Sequence, residues 1–257
     1  MLQDLLAGAL EDAARRRESR PIAAVERAAE EREPAIDAAA ALAPRERVHI
    51  IAEVKRASPS RGALADIPDP AELAVKYERG GASAISVLTE ERKFRGSLED
   101  LEAVRAQVNV PVLRKEFIGE EYQLLEARAA GADLALLIVA ALDQKRLERL
   151  NAFTEELGMT ALFEAHSKDE LLRGIDAGAK LLGVNARDLE TFQMHPERFG
   201  ELAPLIPEGT IRVAESAVLE PAHVRRYRDA GADAVLIGEA LVTGNDPEST
   251  LESFLNA

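Results

Sequence analysis

The sequence predicts an α/β fold, a (β/α)8 TIM barrel with an N-terminal helical extension. The main observation is a pattern repeated four times, in which a helical stretch ends at a Gly and a short apolar run follows. The copies are GGASAISVL from residue 80, AGADLALLI from 130, AGAKLLGVN from 177 and AGADAVLIG from 230. Their second glycines lie 50, 47 and 53 residues apart, about twice the length of one βα unit. Four further strands are therefore expected, one before the first copy and one between each pair of successive copies.

Four other apolar runs fall at those places and complete a set of eight strands. They span 48–54, 112–115, 160–164 and 211–215. Helical stretches are predicted at about 70–80, 98–106, 120–130, 144–157, 168–177, 197–203, 221–230 and 247–255, with Pro70, Pro221 and Pro247 near helix starts. Eightfold alternation of strand and helix is typical of a barrel. A doubly wound sheet is the alternative, but neither of its Gly-rich phosphate motifs, G-x-G-x-x-G or G-x-x-x-x-G-K-[ST], occurs.

Residues 1–45 precede the first strand and are rich in Ala, Glu and Arg. They have too little apolar content to fold alone, so we expect one or two helices packed on the barrel and one domain over residues 1–257. The first segment, MLQDLLAGALEDAARRR, has apolar residues at helical spacing interrupted by Asp4 and Glu11, which indicates an amphipathic helix and not a signal peptide. No apolar run reaches the roughly 18 residues of a membrane span, so a soluble, cytoplasmic protein is expected.

Charge and composition narrow the classes of partner. The formal net charge of −14 makes a nucleic-acid surface unfavourable, and an anionic ligand would need a local basic pocket. The chain has no Cys, which removes disulfides and thiolate chemistry. Its four His residues show no ligand spacing, so no metal site is predicted. Of the four, only His166 lies close to a strand end with an ionisable residue, because it follows Glu164 by two positions.

Ionisable and polar residues end several of the apolar strands. Ile51, Glu53 and Lys55 are spaced two residues apart at the end of the first strand. Because side chains alternate between the two faces of a strand, all three should point to the same inner face. Lys115, Glu164, Asn185, and Glu215 with Ser216 close four later strands. Such groups cost several kcal/mol inside a strand unless they are paired or solvated. A structural ion-pair layer is one interpretation, and an acid/base site at the barrel mouth is the other. A Schiff-base aldolase using Lys55 or Lys115 is an alternative chemistry.

The loops after strands 7 and 8 are candidates for a phosphate cradle. Ser216 with Ala217 and Gly238 with Glu239 would form its walls, and residues 239–242 can begin a short helix. A glycine at a strand-to-helix turn also has a purely steric explanation, which stays open for Gly238.

Six segments together resemble the indole-3-glycerol phosphate synthase family over about residues 48–243. They are IAEVKRASPSRG, ISVLTEERKFRGS, PVLRKEFI, GVNARDLETF, VAESAV and AVLIGEAL. The resemblance implies ring closure of 1-(o-carboxyphenylamino)-1-deoxyribulose 5-phosphate to indole-3-glycerol phosphate, with loss of carbon dioxide and water and without a cofactor. The implied partner is this anionic sugar-phosphate, not nucleic acid or membrane, with other tryptophan-pathway enzymes as further candidates.

By this resemblance, Lys115 is the general acid, Glu164 stabilises the cationic intermediate and Glu53 is the base of the final dehydration. Lys55 contacts a substrate anion or acts as the acid for water loss. The remaining implied roles are substrate contacts: Asn185 and Ser216 at hydroxyls, Arg187 at the carboxylate, Pro59, Phe94, Phe117, Leu136 and Leu189 around the aromatic ring, and Ser58, Ala217, Gly238 and Glu239 at the phosphate.

One position departs from the family pattern, because Ala217 stands where the family usually has Gly. Ala keeps the N–H donor but resists positive φ, so a slightly reshaped phosphate loop is expected. Two functional alternatives remain at this stage: another sugar-phosphate barrel, such as a phosphoribosyl isomerase or the aldolase above, and a catalytically silent barrel that binds a partner.

Overall fold

A computed structural model describes residues 1–59, 61–188, 191–244 and 246–257. Eight parallel strands close into a barrel in chain order, with the last strand pairing with the first. They are β1 His49–Val54, β2 Ala84–Leu88, β3 Val112–Lys115, β4 Leu134–Ile138, β5 Thr160–Ala165, β6 Leu181–Asn185, β7 Ile211–Glu215 and β8 Ala234–Ile237. The predicted (β/α)8 barrel is confirmed, and the four strands predicted with numbered limits, 48–54, 112–115, 160–164 and 211–215, differ from the observed ones by one residue at most.

Helices alternate with the strands as predicted. The three N-terminal helices are α1 Leu2–Ser19, α2 Ile22–Glu30 and α3 Ala38–Ala41. The helices that follow the strands are α4 Pro70–Arg79, α5 Leu98–Arg105, α6 Glu121–Ala130, α7 Gln144–Glu156, α8 Lys168–Asp176, α9 Arg198–Leu202, α10 Pro221–Asp229, α11 Glu239–Val242 and α12 Pro247–Leu255. Side chains of Asp69, Ser97 and Ser167 accept a hydrogen bond from the first turn of the following helix, which fixes where these helices begin. Among the helices of the described ranges, none combines the length and apolar content needed to cross a bilayer.

The barrel interior is apolar along most of each strand and polar where the strands end, at the mouth. Ile51, Leu113, Leu162 and other inward residues form one buried cluster, while alternate residues such as Ile50 pack outward against the helices. Glu53 follows Ile51 by two positions and is also buried. Glu53 therefore shares the inner face with Ile51, as predicted, because side chains alternate along a strand.

The N-terminal segment forms three helices, one more than the sequence suggested, because a four-residue turn capped by Asp37 precedes β1. α1 lies in the same buried apolar cluster as Phe117 and Leu136, at the ends of the barrel strands. Arg16 of α1 donates from Nε and Nη2 to the two oxygens of Glu126 on α6, at 2.6 and 2.9 Å. Apolar packing and this ion pair together attach the segment to the barrel.

A short hairpin that the sequence did not predict follows β1. Its two-residue strands, Ala57–Ser58 and Gly62–Ala63, pair antiparallel. Arg56 donates to the Ile67 carbonyl and pairs with Asp100 at the start of α5. The hairpin is thereby fixed beside the mouth of the barrel.

Candidate active site

A cavity of about 270 Å³ opens where the strands end. The residues predicted for the site surround it, apart from Leu189, which lies outside the described residues. Those lining it are Glu53, Lys55, Ser58, Pro59, Phe94, Lys115, Phe117, Leu136, Glu164, Asn185, Arg187, Ser216, Ala217, Gly238 and Glu239. Side chains more than a hundred positions apart therefore meet around one opening, because parallel strands of a barrel all end at the same face.

The ammonium of Lys115 lies between two carboxylates. Nζ donates to Glu164 Oε2 at 2.7 Å and to Glu215 Oε2 at 2.6 Å. β3, β5 and β7 each contribute one member, because alternate strands direct side chains into the same layer of the barrel. Burial lowers the pKa of Lys115, but the charges of Glu164 and Glu215 outweigh it and raise the pKa well above its ordinary value. Lys115 is therefore a cation at neutral pH.

The two carboxylates differ in their surroundings. Glu164 accepts from Asn185 Nδ2 at 3.1 Å as well as from Lys115. Burial raises its pKa, but Lys115 and His166 outweigh burial and bring the pKa of Glu164 well below its usual value. Glu215 accepts a hydrogen bond from Lys115 at Oε2, and its buried Oε1 has no hydrogen-bond partner among the described residues. Burial, with the charge of Glu164, raises the pKa of Glu215 to about 8.

A second ion pair lies at the end of β1. Lys55 Nζ is 2.7 Å from Glu53 Oε1, and Ser86 Oγ donates weakly to Glu53 Oε2 at 3.4 Å. A Cβ at Gly238 would lie 2.5 Å from Glu53 Oε1 and 3.0 Å from Lys55 Nζ. The glycine at the end of β8 therefore leaves room for this pair, which supports the steric explanation of Gly238.

The loop after β7 takes a left-handed conformation at two successive residues. Ser216 has φ 69° and Ala217 has φ 58°. Tyr227 donates to the Ser216 carbonyl at 3.2 Å, and Ser216 Oγ donates to Asn185 Oδ1 at 2.8 Å. Ala217 thus adopts the positive φ that glycine adopts more easily, at a cost of about 1–2 kcal/mol. The departure from the family pattern leaves strain in the loop.

One wall of the cavity is aromatic. The rings of Phe94 and Phe117 are tilted, with centroids 6.1 Å apart. Glu90 holds the loop before Phe94, because its carboxylate accepts from the backbone N–H groups of Arg92, Lys93 and Phe94 at 3.1, 2.7 and 2.9 Å. This wall offers a flat apolar surface beside the charged groups.

Several residues that line the cavity have no predicted role: Leu5, Arg61, Leu88, Glu116, Ile138, Phe192, Met194, Glu215, Val218, Leu219, Leu236 and Ile237. Of these, Glu215 is predicted as a strand-end group. Its pairing with Asn185 across β6 and β7 depends on strand register, which the sequence does not fix. Leu5 carried the signal of an amphipathic helix but none for its position over the mouth.

Among the described residues, no group of three His, Cys, Asp or Glu side chains is arranged to hold a metal ion. Three carboxylates and two amines at the mouth, Glu53, Glu164, Glu215, Lys55 and Lys115, are paired with each other instead. The arrangement can hold and move protons beside an apolar wall.

Comparison with known proteins identifies the family. The family model for indole-3-glycerol phosphate synthase matches residues 2–254. The indole-3-glycerol phosphate synthase of Leifsonia xyli subsp. xyli is 65% identical over 254 residues, covering 99% of this chain and 97% of that protein. The Rhodococcus opacus protein of the same name is 55% identical over 257 residues, covering 100% of this chain and 95% of its own.

Solved structures show the fold at lower identity. A thiamine phosphate pyrophosphorylase from Pyrococcus furiosus has a TM-score of 0.61 at 16% identity, covering 80% of this chain and 93% of its own. The Clostridium perfringens N-acetylmannosamine-6-phosphate 2-epimerase has the same TM-score at 13% identity, covering 78% and 89%. The family match over nearly the whole sequence is the more specific finding: the chain belongs to the indole-3-glycerol phosphate synthase family.

Proposed function

We propose that the cavity closes the indole ring of 1-(o-carboxyphenylamino)-1-deoxyribulose 5-phosphate, with Lys115 as the first acid. The observation that carries this proposal is an ammonium held between Glu164 and Glu215 beside the aromatic wall. A substrate with an anionic aromatic end and a phosphorylated sugar end needs an apolar surface, a proton donor and a basic contact in one cavity. Family membership and the cavity lining both support this assignment.

Binding would fold the substrate so that its aromatic ring meets its ketone. The Phe94 and Phe117 wall suits the aromatic ring, and the loops at Ala217 and Gly238 suit the phosphate. Lys55 and Arg187 also line the cavity and supply positive charge for the two anionic groups. Holding both ends at fixed places favours the conformation in which the reacting carbons are close.

The ring-closing step needs a proton at the ketone oxygen. As the aromatic carbon that bears the carboxylate bonds to the ketone carbon, Lys115 donates a proton and the oxygen becomes a hydroxyl. The raised pKa of Lys115 keeps this proton in place until the oxygen becomes alkoxide-like and more basic than the amine. The ring nitrogen is then cationic, and ionised Glu164 stabilises that charge. Loss of carbon dioxide returns an electron pair to the ring.

Dehydration completes the product. The hydroxyl leaves as water after protonation, with help from the nitrogen lone pair, and Glu53 removes a proton from the ring carbon next to nitrogen. Lys55, 2.7 Å from Glu53, is placed to return that proton or to act as the acid for water loss. Glu215, with a pKa of about 8, is a proton reservoir for Lys115 between cycles.

The aldolase alternative fits this site less well. A Schiff base requires a neutral amine as nucleophile, and two carboxylates keep Lys115 charged. We also propose that residues 1–257 act as one domain in the cytoplasm, with residues 1–45 as part of the cavity wall, since Leu5 of α1 lines the cavity. Other tryptophan-pathway enzymes remain proposed partners.

Incubation of the purified protein with the substrate tests the function. Indole-3-glycerol phosphate should form, detected by indole fluorescence, with one equivalent of carbon dioxide released. Borohydride added during turnover should trap no adduct. Absence of the fluorescent product, or a trapped substrate adduct on Lys55 or Lys115, would overturn the assignment.

A further inference from the structure

His166 contacts the carboxylate oxygen of Glu164 that Lys115 does not contact. It follows Glu164 by two positions at the end of β5, so the two side chains point the same way. Its Nε2 is 3.3 Å from Glu164 Oε1, and its side chain is 9% exposed. By its geometry this contact is an ion pair and not a well-formed hydrogen bond. His166 is not among the described residues that line the cavity.

Glu170 at the start of α8 fixes the imidazole. Its Oε2 accepts from the His166 backbone N–H at 2.7 Å and lies 3.1 Å from Nδ1 of the ring. Its Oε1 accepts from Ser167 Oγ at 3.0 Å, and Ser167 caps the same helix. The carboxylate is therefore itself held in place. A ring clamped at Nδ1 directs Nε2 toward Glu164.

The charges around this imidazole favour its protonated form. Glu164 from β5 and Glu170 from α8 face its two nitrogens, while Lys115 from β3 and Glu215 from β7 lie beyond Glu164. Burial lowers the pKa of His166, but the two carboxylates outweigh burial and raise the pKa to about 9. Because the pKa is raised, the ring stays a cation through neutral pH and loses its charge as the pH rises through about 9.

The two carboxylates that share Lys115 are therefore not equivalent. Glu164 faces two cations, Lys115 and His166, and accepts from the amide of Asn185. Among the described residues, the one cation that Glu215 pairs with is Lys115, and a methyl group at the neighbouring Gly183 would overlap its Oε1, so the site is closely packed there. Two titratable groups with environments this different take separate roles as acid and base.

We propose that His166, clamped by Glu170, is a positioning residue that keeps Glu164 ionised and leaves Glu215 as the carboxylate that carries the exchangeable proton. This inference rests on the proposed function, because it concerns the residues assigned to that reaction. It adds a Glu170–His166–Glu164 arrangement behind the cavity to the groups that face the substrate.

His166→Gln tests the role, because it removes the positive charge at similar size. The pKa of Glu164 should rise, so the acidic limb of the kcat profile should move up by about one pH unit. The loss of kcat should therefore be largest on that acidic limb, up to about tenfold at its acidic end, while KM changes less than about twofold, and the loss should vanish as the pH rises above the limb. A purely structural role would lower activity equally at every pH.

His49→Gln is the matched control. His49 is also buried and hydrogen-bonded, at Ser83 Oγ and the Ala43 carbonyl, but it begins β1 at the opposite end of the barrel. This variant should lower the thermal midpoint without moving the pH profile. An unchanged profile in His166→Gln, or the same change in both variants, would overturn the proposal.

NMR of the wild-type imidazoles gives a readout that does not need turnover. The chain has only four His, so the signals can be assigned by single substitutions. His166 should titrate near pH 9, above the ordinary value of 6.5, and Glu170→Gln should bring its pKa down. A His166 titration near 6.5 would refute the proposal, even if His166→Gln failed to fold. Wild-type protein that makes no product would instead contradict the proposed function, so the two failures are distinguishable.

Discussion

Replacing Lys115 by Met should make stability depend on pH in a way that the wild type does not. Met keeps most of the side-chain volume but removes the charge that Glu164 and Glu215 share. Removing one partner of a buried ion pair costs about 3–5 kcal/mol, because a charge is left uncompensated. Lys115 is only 12% exposed and both carboxylates are buried, so the full range applies.

The sign follows from the wild-type pKa of Glu164, which is held well below its usual value of 4.5. The stabilisation that ionised Glu164 gives the fold is present above about pH 4.5. It is lost as the pH falls through the lower pKa that Glu164 has in the folded protein. Without Lys115, the pKa of both Glu164 and Glu215 rises, and protonation relieves the uncompensated charge. The deficit of Lys115→Met relative to wild type should therefore be largest at pH 8 and above, and should shrink by about half toward pH 5.

Urea unfolding followed by circular dichroism at pH 5, 6, 7 and 8 measures this, since the chain has no Trp for fluorescence. Lys180→Met is the control, because Lys180 is 64% exposed and pairs with Glu155 at 2.8 Å. An exposed pair of this kind contributes at most about 1 kcal/mol. A deficit in Lys115→Met that is constant with pH, or that grows as the pH falls, would refute the assigned charges.

Three further variants test separate parts of the site. Glu215 binds its proton more tightly in the folded protein, so the wild type should lose stability as the pH rises from about 4.5 through about 8, and Glu215→Gln should not show this loss. Urea unfolding measures it, and equal pH slopes of the unfolding free energy in the two proteins would contradict the prediction. Ala217→Gly should relieve about 1 kcal/mol of strain and change KM more than kcat, and an unchanged KM would count against the phosphate assignment. Phe94→Ala should raise KM about two- to tenfold through loss of the aromatic wall, and a wild-type KM would exclude that contact.

Most of the fold could be predicted from the sequence, because local signals agree with each other along the chain. Buried strands are continuous apolar runs, and helices begin at residues such as Pro70 and Ser97 that favour first turns. The N-terminal segment was less predictable. α3 is four residues long and depends on the Asp37 cap more than on a periodic pattern.

The candidate site could be predicted as a set of positions but not as a network of charges. Parallel strand ends converge whatever their sequence separation, so grouping Glu53 with Lys115 and Glu164 needed only the strand assignment. The difference between Glu164 and Glu215 depends on distances to Lys115 and His166, which arise from register and packing. The sequence therefore indicates only that His166 lies near Glu164.

At Ala217 the sequence predicts the loop, but the local preference of Ala does not predict the positive φ found there. The sequence indicated a loop that suits glycine, and the structure keeps the loop and accepts strain at Ala. Hydrogen bonds from Tyr227 to the Ser216 carbonyl and from Ser216 to Asn185 hold the neighbouring residue. Tertiary contacts thus determine a conformation that local preference disfavours.

Turnover of Lys115→Ala tests the central claim most directly. The measurement is kcat with saturating substrate near pH 7.5, beside Lys180→Ala and with circular dichroism to confirm the fold. A proton donor positioned in this way contributes about 10²–10⁴ in rate, so the variant should lose nearly all turnover while Lys180→Ala keeps wild-type activity. A folded Lys115→Ala that retains half of the wild-type kcat would contradict the assignment of Lys115 as the first acid.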